Sequence, residues 1–147
     1  MTLAINVRRY QVSNMTSGAA EIFYVDDSPD DLFLANYQMR AGGFVFALKT
    51  FSTGIAAIMD MERRAARGEA LPSLLVADYY MPITDGPELF RLVRANHQFA
   101  DVMLASCSGG DDPGDRKAAE EAGADFVLGK PLDLALCQEI VARRQTA

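Results

Sequence analysis

Four short apolar runs in this sequence are each followed by a side chain suited to one kind of chemistry. The side chains are those of Asp26 and Asp27, Asp78, Ser106, and Lys130. The carboxyl ends of parallel strands lie along one edge of a sheet, where α/β proteins bind their ligands. If the apolar runs are parallel strands, the carboxylates, a hydroxyl and an ammonium therefore meet at that edge.

Such a strand is clearest just before Asp78. Residues 74–77 are consecutive apolar residues without polar alternation, which is typical of a strand buried on both faces of a parallel sheet. Pro82 and the Asp85-Gly86 pair then predict a loop. Asp78 is therefore the residue at which we expect a reaction.

The rest of the chain alternates strands with helices. Ser28 followed by Pro29 predicts the start of the first helix, because Ser caps a helix and Pro favours its first turn. Asp133 is placed to cap the last helix. We predict strands at residues 21–25, 44–51, 74–78, 101–105 and 126–128. In the first helix, the side chains expected to face the core are those of Leu32, Leu34, Ala35 and Met39. This alternation predicts an α/β fold in which a doubly wound, five-stranded parallel sheet carries helices on both faces.

The combination of polar groups indicates phosphoryl chemistry. Carboxylates crowded together raise one another's pKa unless a cation lies among them. Oxygen ligands without His or Cys favour a hard ion, Mg²⁺ or Mn²⁺. Lys130 adds a positive charge and Ser106 a hydroxyl donor, so the metal, ammonium and hydroxyl form a clamp for phosphoryl oxygens. The remaining nucleophile is Asp78, which predicts an aspartyl phosphate formed by in-line transfer.

With these motifs the chain resembles the receiver domain of two-component response regulators, from residue 21 to about residue 145. The matching motifs are the acidic pair at 26–27, Asp78, the M-P-x-x-D-G loop at 81–86, Ser106, Gly-Ala-Asp at 123–125, and Lys130-Pro131. The resemblance implies a flavodoxin-like fold with strand order 2-1-3-4-5. It also implies a cis peptide bond before Pro131.

The resemblance further implies the role of each residue. The family's phospho-acceptor matches Asp78, and its hydroxyl and lysine match Ser106 and Lys130. The metal site comprises Asp26, Asp27, Asp78 and the backbone carbonyl of Tyr80. The implied phosphoryl donor is a histidine kinase or a phosphotransfer protein. The implied output is phosphorylation-dependent binding of a downstream protein or formation of a homodimer.

The sequence departs from the family pattern at two places. Val127 stands where the family has its switch aromatic, and Phe126 precedes it, so strand alternation sends these side chains to opposite faces. We therefore expect activation without an aromatic flip. Tyr80 is bulky where many relatives are smaller, and we expect its ring to lie over the mouth of the site and to slow hydrolysis of the phosphoryl group.

Composition and charge exclude several classes of protein. The net charge of -6 argues against nucleic-acid and anionic-membrane surfaces, which attract clustered Lys and Arg. There is no apolar run of about 20 residues and no signal-peptide pattern. Cys107 and Cys137 form no CxxC or zinc pattern, which fits buried residues in a reducing cytoplasm, and His97 is expected at the surface. We expect a cytoplasmic, stand-alone receiver at 21–147, with residues 1–20 as an extension outside the core.

Two alternative functions are weighed against this one. A phosphatase similar to the haloacid dehalogenases would carry a D-x-D motif, whose second acid acts as the acid/base. In this chain Tyr80 occupies the position of that second acid, two residues after Asp78. A degenerate receiver that only scaffolds would have lost an acid or the lysine, and this chain keeps them all. The sequence therefore favours a phosphorylated receiver, which is a regulatory domain and not a classical enzyme.

Overall fold

The computed structural model describes residues 20–146, and within them strands and helices alternate as predicted. The strands are β1 (Glu21–Val25), β2 (Ala47–Phe51), β3 (Leu74–Asp78), β4 (Met103–Ser108) and β5 (Phe126–Gly129). The helices are α1 (Pro29–Gly42), α2 (Gly54–Ala66), α3 (Gly86–Ala95), α4 (Pro113–Ala122) and α5 (Leu134–Thr146), with a 3₁₀ turn at His97–Phe99. The predicted N-terminal extension falls on residues that, except for Ala20, lie outside this description, so it stays a prediction.

The five strands form one parallel sheet in the order β2-β1-β3-β4-β5. This confirms the predicted fold and strand order. Because β1 and β3 are neighbours, the residues that follow them emerge side by side at one edge. From β1 the chain first adds β2 on one side and then β3, β4 and β5 on the other, so the order reverses between β1 and β3. Open α/β sheets bind their ligands at such a point.

Two apolar layers cover the sheet. One packs α2 and α3 against it, and the other packs α1 and α5 against it. All five residues of β3 are buried, as its unbroken apolar run predicts. Cys107 and Cys137 are buried in the second layer as expected, and His97 is exposed. Among residues 20–146, no helix is both long enough and apolar enough to cross a membrane.

Local signals place the starts of the first and last helices correctly, at Ser28 and Asp133, while three details of the prediction are wrong. Leu34 is 38% exposed and does not face the core, because the inward stripe of α1 follows helical spacing through its neighbour Ala35. The second strand begins later than residue 44, since the backbone N–H of Val45 donates to the side chain of Gln138 at 2.9 Å and not to the sheet. The fourth strand runs over Met103–Ser108 and not over 101–105. The N–H of Val102 donates to the Phe99 carbonyl of the preceding turn, and pairing with β5 keeps the chain extended to Ser108.

A cluster of charged side chains lies between α2 and the edge strand β2. The carboxylate of Asp60 is buried and contacts the Lys49 ammonium at 2.5 Å, with the Arg63 guanidinium at 3.1 Å and that of Arg64 at 2.7 Å. The same Arg64 reaches Glu21 at the start of β1. Burial opposes ionisation of Asp60, but its contacts with Lys49 and Arg64 hold its pKa below the ordinary value. Asp60 therefore joins α2 to β2 as an ion-paired carboxylate, and Arg64 joins the same helix to β1.

Candidate functional site

The ends of β1 and β3 bring three carboxylates together. Oxygen atoms of Asp26, Asp27 and Asp78 lie within 4.8 Å of one another. Asp26 is fully buried and Asp78 is 5% exposed, while Asp27 is exposed at the mouth of the group. Burial of like charges at this spacing is unfavourable unless cations compensate for it.

One compensating cation is Lys130, which follows β5. Its Nζ lies 2.8 Å from Asp26 Oδ2 and 3.3 Å from Asp78 Oδ1. The Lys130–Pro131 peptide bond is cis, as the resemblance implied. The predicted lysine therefore lies beside the predicted acceptor, Asp78.

The site contains two residues that the sequence analysis missed. The Tyr24 hydroxyl donates to Asp26 Oδ2 at 2.6 Å, and the Lys130 ammonium donates to Asp31 Oδ2 at 2.9 Å. Tyr24 could have been found because it lies two residues before Asp26, which places both side chains on one face of an extended chain. Asp31 belongs to the first turn of α1, which begins at the site, so its position was a weaker signal.

Three protein donors engage the carboxylate of Asp26. Its Oδ2 accepts from Tyr24 and Lys130, and its Oδ1 accepts from the Ser28 backbone N–H at 2.9 Å. Burial and this hydrogen bond raise the pKa of Tyr24 far above its ordinary value. The phenol therefore remains a neutral donor, and the three contacts fix the orientation of the Asp26 side chain.

Burial and neighbouring charges shift the pKa values of both Asp78 and Lys130. Burial, followed by the charge of Asp26, raises the pKa of Asp78 to about 6, although Lys130 acts in the other direction. Burial disfavours the charged form of Lys130, but its hydrogen bonds to Asp26 and Asp31 outweigh this and raise its pKa. At neutral pH the site therefore holds a largely ionised Asp78 beside a charged ammonium.

The loop after β3 packs closely against Asp78. A Cβ atom on Gly86 would lie 2.8 Å from the backbone oxygen of Asp78, so only glycine permits this approach. The Gly86 N–H also donates to the Tyr79 carbonyl at 3.2 Å. The Asp-Gly pair of the motif therefore fixes the path of the residues that flank the acceptor.

Ser106 lies on the neighbouring strand and is buried. The register of β3 and β4 pairs it with Ala77, the residue before Asp78, and on its other side it pairs with Val127 of β5. Among the described residues it takes no part in the ion-pair network of Lys130. Strand pairing therefore places Ser106 on the strand next to the one that carries the acceptor.

Tyr80 lies at the surface. Its side chain is 60% exposed, and its ring packs edge-on against Tyr79 with centroids 4.7 Å apart. Its hydroxyl donates to the carboxylate of Asp115 on α4, and this bond is the main cause that raises the Tyr80 pKa to about 12. The ring therefore links the β3–α3 loop to the helix that follows β4.

The donor set of the three carboxylates fits a hard divalent cation. It offers oxygen atoms only, with neither His nor Cys, which is the chemistry that Mg²⁺ prefers. Protein donors already engage Asp26, whereas Asp27 faces solvent. Asp27 and Asp78 are therefore the residues best placed to hold the ion directly.

The comparisons with known proteins agree with this geometry. The model of the response regulator receiver domain family matches residues 22–142, and this chain therefore belongs to that family. It is a receiver domain of the two-component response regulators, a family of regulatory phospho-acceptor domains for which Mg²⁺ is typical.

Among curated proteins, the chain is similar to two bacterial regulators. It is 31% identical to the transcriptional regulatory protein GltR of Pseudomonas aeruginosa, over 88% of this chain and 49% of GltR. It is 34% identical to the transcriptional regulatory protein PrrA of Mycobacterium tuberculosis, over 83% of this chain and 47% of PrrA. The chain thus spans about half the length of these relatives. Because both are named transcriptional regulators, the expected absence of a nucleic-acid partner stays a prediction.

Solved structures share the fold. The receiver domain of sensor histidine kinase PA1611 from Pseudomonas aeruginosa, which has a magnesium ion in its active-site cleft, matches with a TM-score of 0.71 and 25% identity. That match covers 88% of this chain and 99% of the PA1611 domain. The Vibrio cholerae chemotaxis protein CheY4 matches with a TM-score of 0.70 and 20% identity, covering 85% of this chain and 98% of CheY4.

Proposed function

We propose that this receiver accepts a phosphoryl group on Asp78 from a histidine kinase or a phosphotransfer protein, and that it signals by phosphorylation-dependent binding of a downstream protein. The observation that carries the proposal is the position of the Asp78 carboxylate. It lies 3.3 Å from the Lys130 ammonium, with oxygen atoms of Asp26 and Asp27 within 4.8 Å. A nucleophilic carboxylate thus lies beside an ammonium that stabilises charge on a transferring phosphoryl group and beside acids that would hold the metal ion.

The transfer proceeds as an in-line displacement at phosphorus. A carboxylate oxygen of Asp78 forms the new P–O bond, and the donor's P–N or P–O bond breaks with its electron pair leaving on the donor atom. The Lys130 ammonium and the Ser106 hydroxyl each bind a phosphoryl oxygen. Asp26 holds Lys130 in place. When bound by Asp27, Asp78 and the Tyr80 carbonyl, Mg²⁺ supplies charge neutralisation to the phosphoryl oxygens.

Removing the metal or its exposed ligand tests this proposal. The wild-type protein incubated with a labelled small phosphodonor and Mg²⁺ should take up label, and a chelator should stop the uptake. We expect Asp27→Ala to bind Mg²⁺ more weakly and to take up label more slowly, because it removes a direct ligand. Asp30→Ala, a change at another exposed acid nearby, is the control and should behave like wild type. Uptake that persists unchanged with chelator would overturn the role of the metal.

Mn²⁺ fits the same oxygen donors, and we propose it as the second ion that supports the reaction. The response regulator Rcp1, which shares this fold with a TM-score of 0.63 at 21% identity, was solved in a Mn(2+)-bound form. The stand-alone character of the receiver and its phosphorylation-dependent homodimer stay predictions. Sedimentation of the protein with and without a phosphoryl mimic tests the homodimer.

The lifetime of the phosphorylated state is expected to depend on Tyr80. Hydrolysis requires a water in line with the phosphorus on the side away from Asp78, and we expect the ring of Tyr80 to restrict that approach. We therefore expect Tyr80→Ala to lose its phosphoryl group faster than wild type, about tenfold if the excluded water is worth ~1.4 kcal/mol. The measurement is phosphate release after the donor is removed.

A long lifetime of the phosphorylated state could come from the Tyr80 ring itself or from its hydrogen bond to Asp115, and a second variant distinguishes the two causes. Tyr80→Phe keeps the ring but loses this hydrogen bond. A slow release in Tyr80→Phe with a fast release in Tyr80→Ala shows that the ring itself is the shield. An unchanged or slower release in Tyr80→Ala would contradict the prediction.

A further inference from the structure

The Lys130 ammonium is shared among three carboxylates from three parts of the chain. Its Nζ lies 2.8 Å from Asp26 after β1, 2.9 Å from Asp31 on α1, and 3.3 Å from Asp78 at the end of β3. A lysine ammonium has three N–H donors and no acceptor. One N–H is therefore available for each carboxylate, and the bond to Asp31 is only 0.1 Å longer than the one to Asp26.

We propose that Asp31 is a positioning residue for Lys130: it holds part of the ammonium's bonding capacity on α1 and so limits how strongly Lys130 binds Asp78 or a phosphoryl group on Asp78. The phosphoryl part of this inference rests on the proposed function. The part that concerns Lys130 and the metal ligands does not depend on it.

The N-cap of α1 supports this role. The backbone N–H of Asp31 donates to Ser28 Oγ at 3.3 Å, and the N–H of Ser28 donates to Asp26 Oδ1 at 2.9 Å. The cap thus fixes the Asp31 backbone relative to Asp26, and its side chain meets Lys130 without a long flexible reach. A preorganised acceptor of this kind costs little entropy.

A general helix-dipole role does not account for the contact. Acids are favoured in the first turn of any helix, and Asp30 is the neighbouring acid in the same turn. Asp30 is exposed, which is all that a dipole interaction requires. Asp31 is partly buried and its carboxylate contacts the lysine. The helix dipole alone does not explain this contact, which Asp30 does not make.

Removing the Asp31 charge shifts the ammonium toward the remaining carboxylates. Lys130 then competes more strongly for Asp78, and Mg²⁺ binds more weakly there. The same freed N–H binds a phosphoryl oxygen on Asp78 more tightly. We expect each effect to be about fivefold, the size of a partly exposed ion pair.

Matched variants test the inference. Asp31→Asn and Asp30→Asn make the same change of charge one residue apart, and Asp31→Glu restores the charge. Two probes are used, Mg²⁺ alone by titration calorimetry and beryllofluoride with Mg²⁺ as the phosphoryl mimic. We expect Asp31→Asn to bind Mg²⁺ about fivefold more weakly and the mimic about fivefold more tightly. Asp30→Asn should shift much less, and Asp31→Glu should move both constants back toward wild type.

A double-mutant cycle with Lys130→Met shows whether Asp31 acts through the lysine. In that background, Asp31→Asn should change Mg²⁺ affinity no more than Asp30→Asn does. Equal effects of Asp31→Asn and Asp30→Asn in the native-lysine protein would overturn the inference, and that comparison suffices if Lys130→Met does not fold. If the wild-type protein binds Mg²⁺ but neither phosphoryl donor nor beryllofluoride, the proposed function fails, while the Mg²⁺ comparison still decides the role of Asp31.

Discussion

Asp78→Asn is expected to raise the free energy of unfolding of the metal-free protein by about 2 kcal/mol at slightly alkaline pH. Burial and the charge of Asp26 raise the pKa of Asp78 from 3.8 to about 6. A rise of that size makes the ionised carboxylate unfavourable by roughly 3 kcal/mol. Asparagine removes the charge and forfeits part of the contact with Lys130, which leaves the smaller gain.

The gain should depend on pH in a defined direction. A carboxylate whose pKa is raised on folding favours the folded state below its ordinary pKa, and that contribution is lost as the pH rises through about 6. The difference between variant and wild type should therefore be large near pH 8 and close to zero near pH 4. Urea unfolding with chelator present at several pH values measures it. A difference that is the same at both ends would contradict the raised pKa.

Asp60→Ala is expected to have the opposite effect, lowering the free energy of unfolding by about 3 kcal/mol. Asp60 is 4% exposed and contacts Lys49, Arg63 and Arg64. Removing the shared anion takes an ion-pair partner from each of the three cations, of which Arg64 keeps Glu21. The contribution of Asp60 is present above its ordinary pKa and is lost as the pH falls, because its pKa is lowered on folding.

Glu62→Ala is the matched control for Asp60. It removes an exposed carboxylate from the same helix and should change the free energy of unfolding by less than about 0.5 kcal/mol. Thermal or urea unfolding near neutral pH compares the two variants. An equal loss in both would show that the Asp60 contacts add nothing beyond the charge of the helix.

Substituting Asp60 and substituting Asp78 are expected to change the free energy of unfolding in opposite directions, because the neighbours of the two aspartates differ. Asp60 lies among several cations, whereas Asp78 lies beside Asp26 and shares one lysine with two other carboxylates. The proposed function gives a reason for an unfavourable carboxylate at Asp78, since a bound metal ion would compensate for its charge. Stability lost at a functional site is a recurrent cost of activity.

Much of the fold and of the site could be predicted from the sequence because the signals were local or came as a matching set. The unbroken apolar run before Asp78 identified β3, and the Ser28-Pro29 pair identified the start of α1. The acids and Lys130 were recognised because all of them follow apolar runs, which parallel strands bring to one edge.

One contact that sequence reasoning missed joins residues far apart along the chain. The bond from Lys130 to Asp31 spans 99 positions along the chain, and an acid in a first helical turn is usually only a dipole partner. Ile83 takes a φ of 71° in the loop after β3. That conformation is rare for a β-branched residue, so the residue type gave no sign of it.

The central claim is that Asp78 is the phospho-acceptor, and intact mass measurement after incubation with acetyl phosphate and Mg²⁺ tests it most directly. The wild-type protein should gain the mass of one phosphoryl group, and Asp78→Asn should gain none. Asp85→Asn serves as the control, because asparagine replaces the N-cap of α3 with an equally good capping residue, and it should be phosphorylated like wild type. Phosphorylation of Asp78→Asn at the wild-type rate would contradict the claim.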